Sequence, residues 1–267
     1  MKSITLSLIL AALAAPGFAQ NTQAPLARVE MLPGWRMADG HHMAALHIEL
    51  EEGWKTYWRA PGEAGLPPGI DWSGSQNVAA VDLHWPVPEV VRSNGMTTLG
   101  YHGELVLPVE ITPADPDQEI ALTGAIEMGI CHDVCMPFQA EVSAALPEAG
   151  EHDPRIAAAL EDQPAASDVA GLVSANCTVE PISDGLRVTA ALELPQVGLD
   201  EVTVFEPDDR AIWVSEAMQE RQGGRLTATA DLVPPTAEPF ELDTKTLRLT
   251  VIADGHAVDI QGCTRLE

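Results

Sequence analysis

Short apolar runs cut by turn residues recur along most of the chain. The run at 42–50 alternates apolar and polar side chains in its second half, a pattern typical of a half-buried β-strand. Similar strand character is found at 24–33, 54–59, 78–85, 105–111, 120–128 and 138–144. Strands about ten residues apart, with Gly and Pro between them, are typical of a β-sandwich. The pattern therefore predicts an all-β domain over residues 20–148.

The strand pattern is interrupted at 147–167 and then returns. Within the interruption, 154–161 is rich in alanine, and Asp153 before Pro154 is a suitable N-cap, which predicts a short helix. Strand-like runs follow at 186–194, 225–232, 247–252 and 257–260, the last two forming a hairpin. We therefore predict a second small β-sandwich over residues 170–267, joined to the first by a helical linker at 149–169.

The first nineteen residues have the pattern of a secretory signal peptide. Lys2 supplies a positive charge, 4–15 is apolar, and small residues precede a cleavage point after Ala19. The run is shorter than the roughly 18 to 20 residues of a membrane-spanning helix, and Pro16 interrupts it. We therefore expect export to an oxidising space such as a bacterial periplasm, with no membrane span in the mature chain.

The composition is strongly acidic. The chain has 14 Lys and Arg against 40 Asp and Glu, a formal net charge of −26. Such a charge repels nucleic acid and anionic lipid surfaces, so neither is an expected partner. The acidic residues are scattered along the chain, which favours a role in solubility.

The four cysteines divide into two pairs by their spacing. Cys131 and Cys135 are close in the first domain, whereas Cys177 and Cys263 stand near the two ends of the second. We therefore predict the pairs 131 with 135 and 177 with 263. Closing a loop of about 85 residues stabilises a domain by about 4 kcal/mol in the chain-entropy model, so the second bridge is assigned as structural.

The first pair encloses only three residues and so contributes little stability. Short, strained disulfides are labile, and labile disulfides are the ones that exchange electrons. His132, as an imidazolium, would lower the pKa of a neighbouring thiol, whereas the carboxylate of Asp133 would raise it. The pattern favours a redox pair with His132 and Asp133 close by.

Two other interpretations of this stretch remain open at the level of sequence. Cys131 and Cys135, with Met128, His132 and Met136, form a soft ligand set suited to Cu(I), as in a periplasmic protein of copper tolerance. Alternatively, both disulfides are inert and the protein is an assembly module. The aromatic residues Trp54, Tyr57, Trp58, Trp72 and Trp85 are predicted to pack in the sheets.

Several motifs also resemble a known family over residues 28–146. They are Gly53-Trp-Lys-Thr-Tyr-Trp-Arg59, the Pro- and Gly-rich 61–68, Trp85-Pro-Val-Pro88, Gly100-Tyr101, Leu107-Pro108 and Cys131-x3-Cys135-x-Pro137. In this order they resemble the N-terminal periplasmic domain of the DsbD and ScsB thiol:disulfide interchange proteins. The resemblance implies an immunoglobulin-like sandwich whose cysteine pair cycles between disulfide and dithiol.

The resemblance also implies residue roles and partners. Cys131 and Cys135 would be the redox pair, with Tyr101 the nearest aromatic residue. In this family a short cap loop shields the pair, and 92–99 would take that place with Met96 as its large apolar residue. Electrons would pass between the pair and periplasmic thioredoxin-fold proteins and come from a separate membrane electron transporter. Such relays act as protein-disulfide reductases or oxidoreductases and serve processes such as cytochrome c biogenesis.

Overall fold

The computed structural model describes residues 26–93 and 95–266, and over these residues it is almost entirely β-structure. The predicted signal peptide, 1–19, lies outside the described residues. Two sandwiches follow one another along the chain, with one short helix between them. The predicted all-β fold class with a helical connection is confirmed.

The first sandwich contains ten strands. They are β1 (Ala27–Arg36), β2 (His42–Leu50), β3 (Lys55–Tyr57), β4 (Gly69–Asp71), β5 (Val78–Leu83), β6 (Glu89–Ser93), β7 (Met96–His102), β8 (Glu104–Pro113), β9 (Ile120–Cys131) and β10 (Cys135–Leu146). One sheet has the order β1-β2-β8-β5. The other has the order β10-β9-β3-β7-β6, with β4 paired to β9.

Strand alternation builds the first core. On β9, Ile126, Met128 and Ile130 are buried in the core cluster, whereas Glu127 between them is exposed. The facing strand β8 contributes Leu105, Leu107, Val109 and Ile111 in the same way. Because side chains of one strand alternate between the faces of the sheet, every second residue of β9 lies on the outer face.

The second sandwich contains the remaining strands. They are β11 (Ala165–Ala166), β12 (Ser174–Ile182), β13 (Gly185–Glu193), β14 (Val202–Glu206), β15 (Trp213–Val214), β16 (Met218–Gln222), β17 (Arg225–Val233), β18 (Arg248–Ala253), β19 (His256–Gln261) and β20 (Thr264–Arg265). The sheets have the orders β11-β19-β18-β14 and β15-β17-β13-β12-β20, with β16 paired to β17. The predicted hairpin at 247–260 is β18–β19, which the Asp254-Gly255 turn closes.

The helix α1 (Pro154–Glu161) forms where the sequence predicts it. The carboxylate of Asp153 accepts a hydrogen bond from the backbone N–H of Arg155, and Pro154 occupies the first turn, where its missing N–H costs nothing. Ile156 is fully buried against Trp35 and Met43. The helix therefore packs on the first sandwich. Within the described residues, no helix has the length and apolar character needed to cross a membrane.

The two sandwiches also pack against each other. Ile252 and Ala257 of the second sandwich belong to the same buried cluster as the first core, and Val204 packs against it. The guanidinium of Arg59 forms an ion pair with the carboxylate of Glu206 across the boundary, at 2.8 Å from Nε to Oε2. The relative position of the domains is thus fixed by apolar and ionic contacts.

An ion-pair triad on the first sandwich predicts how stability depends on pH. His47 lies between Glu30 and Glu104, at 2.9 and 2.7 Å from its two ring nitrogens. Burial disfavours its charged form, but the hydrogen bonds to both carboxylates outweigh burial, and the pKa of His47 is raised. Stabilisation by the imidazolium is therefore complete below the unfolded-state pKa of about 6.5 and is lost as pH rises through the folded-state pKa.

We expect His47→Gln to lower the melting temperature more at about pH 6 than at about pH 9. Thermal melts of both proteins across this range measure the difference. His102→Gln is the control, because its pair with Glu89 is largely exposed and exposed pairs contribute little. A His47→Gln deficit that stays constant with pH would contradict the assignment.

Candidate functional site

The candidate site lies at the tip of the β9–β10 hairpin. Cys131 is the last residue of β9 and Cys135 the first of β10, and the two are direct partners in the antiparallel register. Their Cα atoms are 4.1 Å apart and their sulfur atoms are bonded. Directly opposed residues of an antiparallel pair project to the same face, so the hairpin itself brings the thiols together.

The two cysteines differ in exposure. Cys131 is only 2% exposed, whereas Cys135 is an exposed residue. The difference follows from the sheet order, since β9 lies between β10 and β3 while β10 is the edge strand. Cys135 is therefore the more accessible of the two bonded cysteines, and Cys131 is its buried partner.

Strand β3 supplies the neighbouring side chains. Lys55 is the register partner of Cys131, so Lys55 and Tyr57 project to the outer face that carries the disulfide. Thr56 and Trp58 project inward, where Thr56 contacts the sulfur of Met128 and Trp58 is fully buried. One short strand thus serves both the core and the site.

Tyr57 contacts the exposed cysteine directly. Its hydroxyl lies 3.3 Å from Cys135 Sγ, and in the disulfide state the hydroxyl is the donor because the sulfur carries no proton. Tyr57 is only 2% exposed, and burial raises the pKa of its hydroxyl. The hydroxyl therefore keeps its proton, and in the reduced protein it can donate a hydrogen bond to a thiolate on Cys135.

Lys55 completes the polar surroundings of Tyr57. Its ammonium donates a hydrogen bond to Thr98 Oγ1 at 2.9 Å and lies 5.6 Å from the centre of the Tyr57 ring. Burial lowers the pKa of Lys55. A cation on this face adds a positive potential to the region in which a thiolate forms.

The loop residues take different places. His132 Nδ1 lies 3.1 Å from Asp133 Oδ2, and the imidazole ring packs beside Trp54 and over Gly53. A side chain on Gly53 would meet that ring at about 3 Å. Val134 is 67% exposed at the tip. His132 and Asp133 are thus paired with each other in the loop between the two cysteines.

Exposed apolar side chains lie close to the exposed cysteine along the chain. Val134 precedes Cys135 and is 67% exposed, and Met136 follows it on the alternate face of the strand and is 46% exposed. Leu66, also about half exposed, rests on the outer face next to Gly129 and Tyr57. Apolar groups around a reactive atom are typical of a surface that a protein partner covers.

Two predicted neighbours lie elsewhere, which corrects those expectations. Tyr101 is the register partner of Thr56 and therefore projects inward, where its hydroxyl donates to the carbonyl of Pro86 at 2.8 Å. Met96 is the first residue of β7. His102, six residues later, is the β7 residue that pairs with Lys55, which in turn pairs with Cys131. At about 3.3 Å per residue, Met96 lies about 20 Å along the strand from the pair. Of the described residues in 92–99, 92 and 93 belong to β6 and 96–99 to β7, and the pairing of these two strands places them in a sheet, not in a cap over the disulfide.

The structure also divides the residues proposed for Cu(I). Met128 and Met136 occupy register positions that alternate with those of Cys131 and Cys135, and Met128 is buried in the core. Within the described residues, no group of three or more His, Cys, Asp or Glu side chains is arranged to hold a metal ion. The four soft sulfur ligands thus do not converge here, and Cu(I) binding stays a prediction.

The second cysteine pair lies in the core of the second sandwich. Cys177 of β12 and Cys263, which follows β19, are bonded, and their exposures are 0% and 6%. Both belong to a cluster with residues such as Leu192 and Leu249. In this position the bridge ties the end of the chain to the sheet, in keeping with a structural role.

Sequence reasoning missed Tyr57 and Leu66 as site residues. Tyr57 was expected to pack in the sheet, and it is buried, but on the outer face beside Cys135. Because Tyr57 alternates with Thr56 and Trp58 along the strand, it lies on the face opposite to theirs. Which of the two faces is the outer one follows only from the pairing of Lys55 with Cys131. Leu66 lies in a Pro- and Gly-rich stretch without periodicity, so no pattern indicated its position.

Comparisons with known proteins agree with this architecture. A family model described as "Thiol:disulfide interchange protein DsbD, N-terminal" matches residues 21–147. Among solved structures, the chain is similar to the N-terminal periplasmic domain of ScsB from Proteus mirabilis, with a TM-score of 0.67 and 24% identity. That match covers 90% of this chain and 92% of the other, which shows that the shared fold extends across both sandwiches. No curated protein matches the chain significantly.

The contact between Tyr57 and Cys135 predicts a change in thiol acidity. In reduced protein carrying Cys131→Ala, we expect Tyr57→Phe to raise the pKa of the Cys135 thiol by about one unit, about 1.4 kcal/mol, because a charge-assisted hydrogen bond to the thiolate is lost. The rate of iodoacetamide alkylation as a function of pH measures this value. Tyr101→Phe is the matched control, since its hydroxyl is on the other face. Identical alkylation profiles for both tyrosine variants would refute a role for Tyr57.

Proposed function

Residues 21–147 of this chain belong to the family of the N-terminal domain of the thiol:disulfide interchange protein DsbD, and from this premise we propose that Cys131 and Cys135 relay electrons. The pair alternates between a disulfide and a dithiol. Its partners are thioredoxin-fold proteins. The chain thereby acts as a protein-disulfide reductase or oxidoreductase within a longer circuit.

One observation carries this proposal, namely the unequal exposure of the two sulfur-bearing residues. Cys135 is exposed on an edge strand beside a hydroxyl donor, whereas Cys131 is 2% exposed. Thiol–disulfide exchange requires one sulfur that can be attacked and a second that leaves and later resolves the mixed disulfide. A purely structural disulfide would not require its two cysteines to differ in exposure.

The exchange proceeds in two steps. A thiolate of the partner attacks Cys135 Sγ, the bond between the two sulfurs breaks, and Cys131 leaves as a thiolate and takes up a proton. The second thiolate of the partner then attacks the partner's own sulfur in the mixed disulfide and releases Cys135. Two electrons have passed from the partner dithiol to the pair, and the partner has become a disulfide. The reverse sequence passes the electrons onward.

The surface around Cys135 supports a protein partner. Val134 at the hairpin tip and Leu66 on the outer face offer exposed apolar area near the cysteine, and covering such area with a partner is favourable. We propose that periplasmic thioredoxin-fold proteins dock here and that a membrane electron transporter supplies the electrons. The periplasmic location is supported by the ScsB likeness and by the signal-peptide pattern of residues 1–19.

Single cysteine variants test the direction of attack. We expect Cys131→Ala, which leaves Cys135 free, to form a stable mixed disulfide with a purified thioredoxin-fold protein whose resolving cysteine is replaced by alanine and whose remaining cysteine carries a thionitrobenzoate disulfide, because the Cys135 thiolate attacks that sulfur and thionitrobenzoate leaves. The Cys135→Ala variant should form at least about tenfold less of this mixed disulfide, since the remaining Cys131 is buried. Non-reducing electrophoresis followed by mass spectrometry measures both yields. Failure of both variants to cross-link to any thioredoxin-fold protein would overturn the proposal.

Selective reduction separates this function from that of an inert assembly module. We expect mild dithiothreitol to open the bridge between Cys131 and Cys135 while the buried bridge between Cys177 and Cys263 stays closed in the folded protein. Alkylation of free thiols followed by peptide mass spectrometry shows which cysteines are labelled. Resistance of both bridges under folded conditions would favour the inert module.

A further inference from the structure

The segment between β3 and β4 covers the outer face beside the disulfide. Residues 59–68, called here the covering segment, cross that face from β7 towards β9, and Leu99 N donates to the carbonyl of Pro61 at 3.0 Å. A methyl group placed on Gly129 would lie 2.9 Å from Leu66 Cβ and 3.3 Å from Tyr57 Cε2. Leu66 and Tyr57 therefore rest side by side on the backbone of Gly129, and the Tyr57 hydroxyl contacts Cys135.

The start of the covering segment is attached to the second sandwich. Arg59 Nε and Nη2 donate to the two carboxylate oxygens of Glu206 at 2.8 and 3.1 Å, and the Thr250 hydroxyl donates to the same carboxylate at 3.0 Å. The side chains of Arg59 and Glu206 are only 10% and 14% exposed. A bidentate, largely buried pair of this kind fixes the orientation of both side chains.

A second attachment lies further along the covering segment. Glu63 Oε1 accepts a hydrogen bond from the backbone N–H of Glu216 at 2.9 Å. Between these attachments and the second sandwich is a cavity of about 390 Å³, which has Pro61 and Pro67 on one wall and Trp213 and Val214 on the other. Because the back of the covering segment faces this cavity, the two attachments link the segment to the second sandwich where apolar packing between them is incomplete.

We propose that the second sandwich acts as a clamp that controls the reactivity of the Cys131–Cys135 disulfide. Arg59, Glu206 and Glu63 are positioning residues, and Leu66 is the side chain that they hold against Tyr57. With the covering segment in place, Tyr57 stays on Cys135 Sγ and leaves that sulfur open from one side. This proposal rests on the proposed function only in taking Cys135 as the sulfur that is attacked.

The rate at which dithiothreitol reduces the Cys131–Cys135 disulfide measures the effect of the clamp on reactivity without any protein partner. One thiolate of the reagent attacks Cys135 Sγ, Cys131 leaves as a thiolate, and the second thiolate closes the cyclic disulfide of the reagent and releases Cys135. We expect Glu206→Gln to raise the second-order rate of this reduction about fivefold, about 1 kcal/mol in activation free energy. Glu63→Ala, at an exposed position, should raise it in the same direction by a smaller factor.

Coupling between variants distinguishes a clamp from a general loss of structure. Leu66→Ala should raise the rate by itself, and adding Glu206→Gln should then have little further effect, because both changes release the same contact. Arg221→Gln is the matched control, since it removes a bidentate Arg–carboxylate pair with Glu201 whose side chains are only 13% and 4% exposed and which lies entirely within the second sandwich. In every variant the bridge between Cys177 and Cys263 should remain closed, which reports that the fold is intact.

The outcomes are decisive in each case. Unchanged rates in folded Glu206→Gln and Glu63→Ala, or fully additive effects with Leu66→Ala, would overturn the clamp. If Glu206→Gln does not fold, Glu63→Ala with Leu66→Ala decides alone. A pair that responds as expected to dithiothreitol but never cross-links to a thioredoxin-fold protein refutes the proposed function and leaves the clamp standing. If the pair cross-links to a thioredoxin-fold protein while all variants keep the original rate of reduction by dithiothreitol, the clamp is refuted and the proposed function stands.

Discussion

The antiparallel register of β9 and β10 is the constraint on which the site depends. Placing Cys131 opposite Cys135 brings the two sulfurs together and selects the outer face for both. A slip of one residue would move one strand's side chains to the other face and separate the cysteines. The same pairing leaves β10 at the edge and β9 inside the sheet, so one geometric fact produces both the bond and the unequal exposure of its ends.

Two tyrosines show how strictly the faces are divided. Tyr57 and Tyr101 lie on neighbouring paired strands, and each has a hydroxyl with a defined acceptor, yet one contacts Cys135 and the other the Pro86 carbonyl. Their registers differ by one residue, since Tyr57 pairs with Gly100 and Tyr101 with Thr56. The absence of a side chain at Gly100 matters here, because a Cβ at this position would overlap the carbonyl oxygen of Thr56. Close approach of β3 and β7 thus keeps Tyr57 in place.

Much of the fold could be predicted from sequence, and the site only in part. Alternation and turn residues indicated both sandwiches, and Asp153 with Pro154 indicated the helix, because these signals are local. Cys131 and Cys135 were found by spacing. Tyr57 could not be assigned to the outer face, since the side to which a strand residue points depends on pairing with a distant strand. Met96 was assigned by likeness to a cap loop, but local hairpin pairing of β6 with β7 determines its actual place.

The buried pair of Arg59 and Glu206 is better explained by orientation than by stability. Removing two charges from water costs free energy, and well-packed apolar residues often stabilise such a place equally well. Apolar contacts from Val204, Ile252 and Ala257 already hold the sandwiches together. The ion pair therefore contributes the orientation of the interface, and the apolar contacts contribute its stability. A bidentate Arg–carboxylate contact permits one relative orientation, whereas an apolar contact permits sliding. Since Arg59 begins the covering segment two residues after Tyr57, that orientation is transmitted directly to the side chain that contacts Cys135.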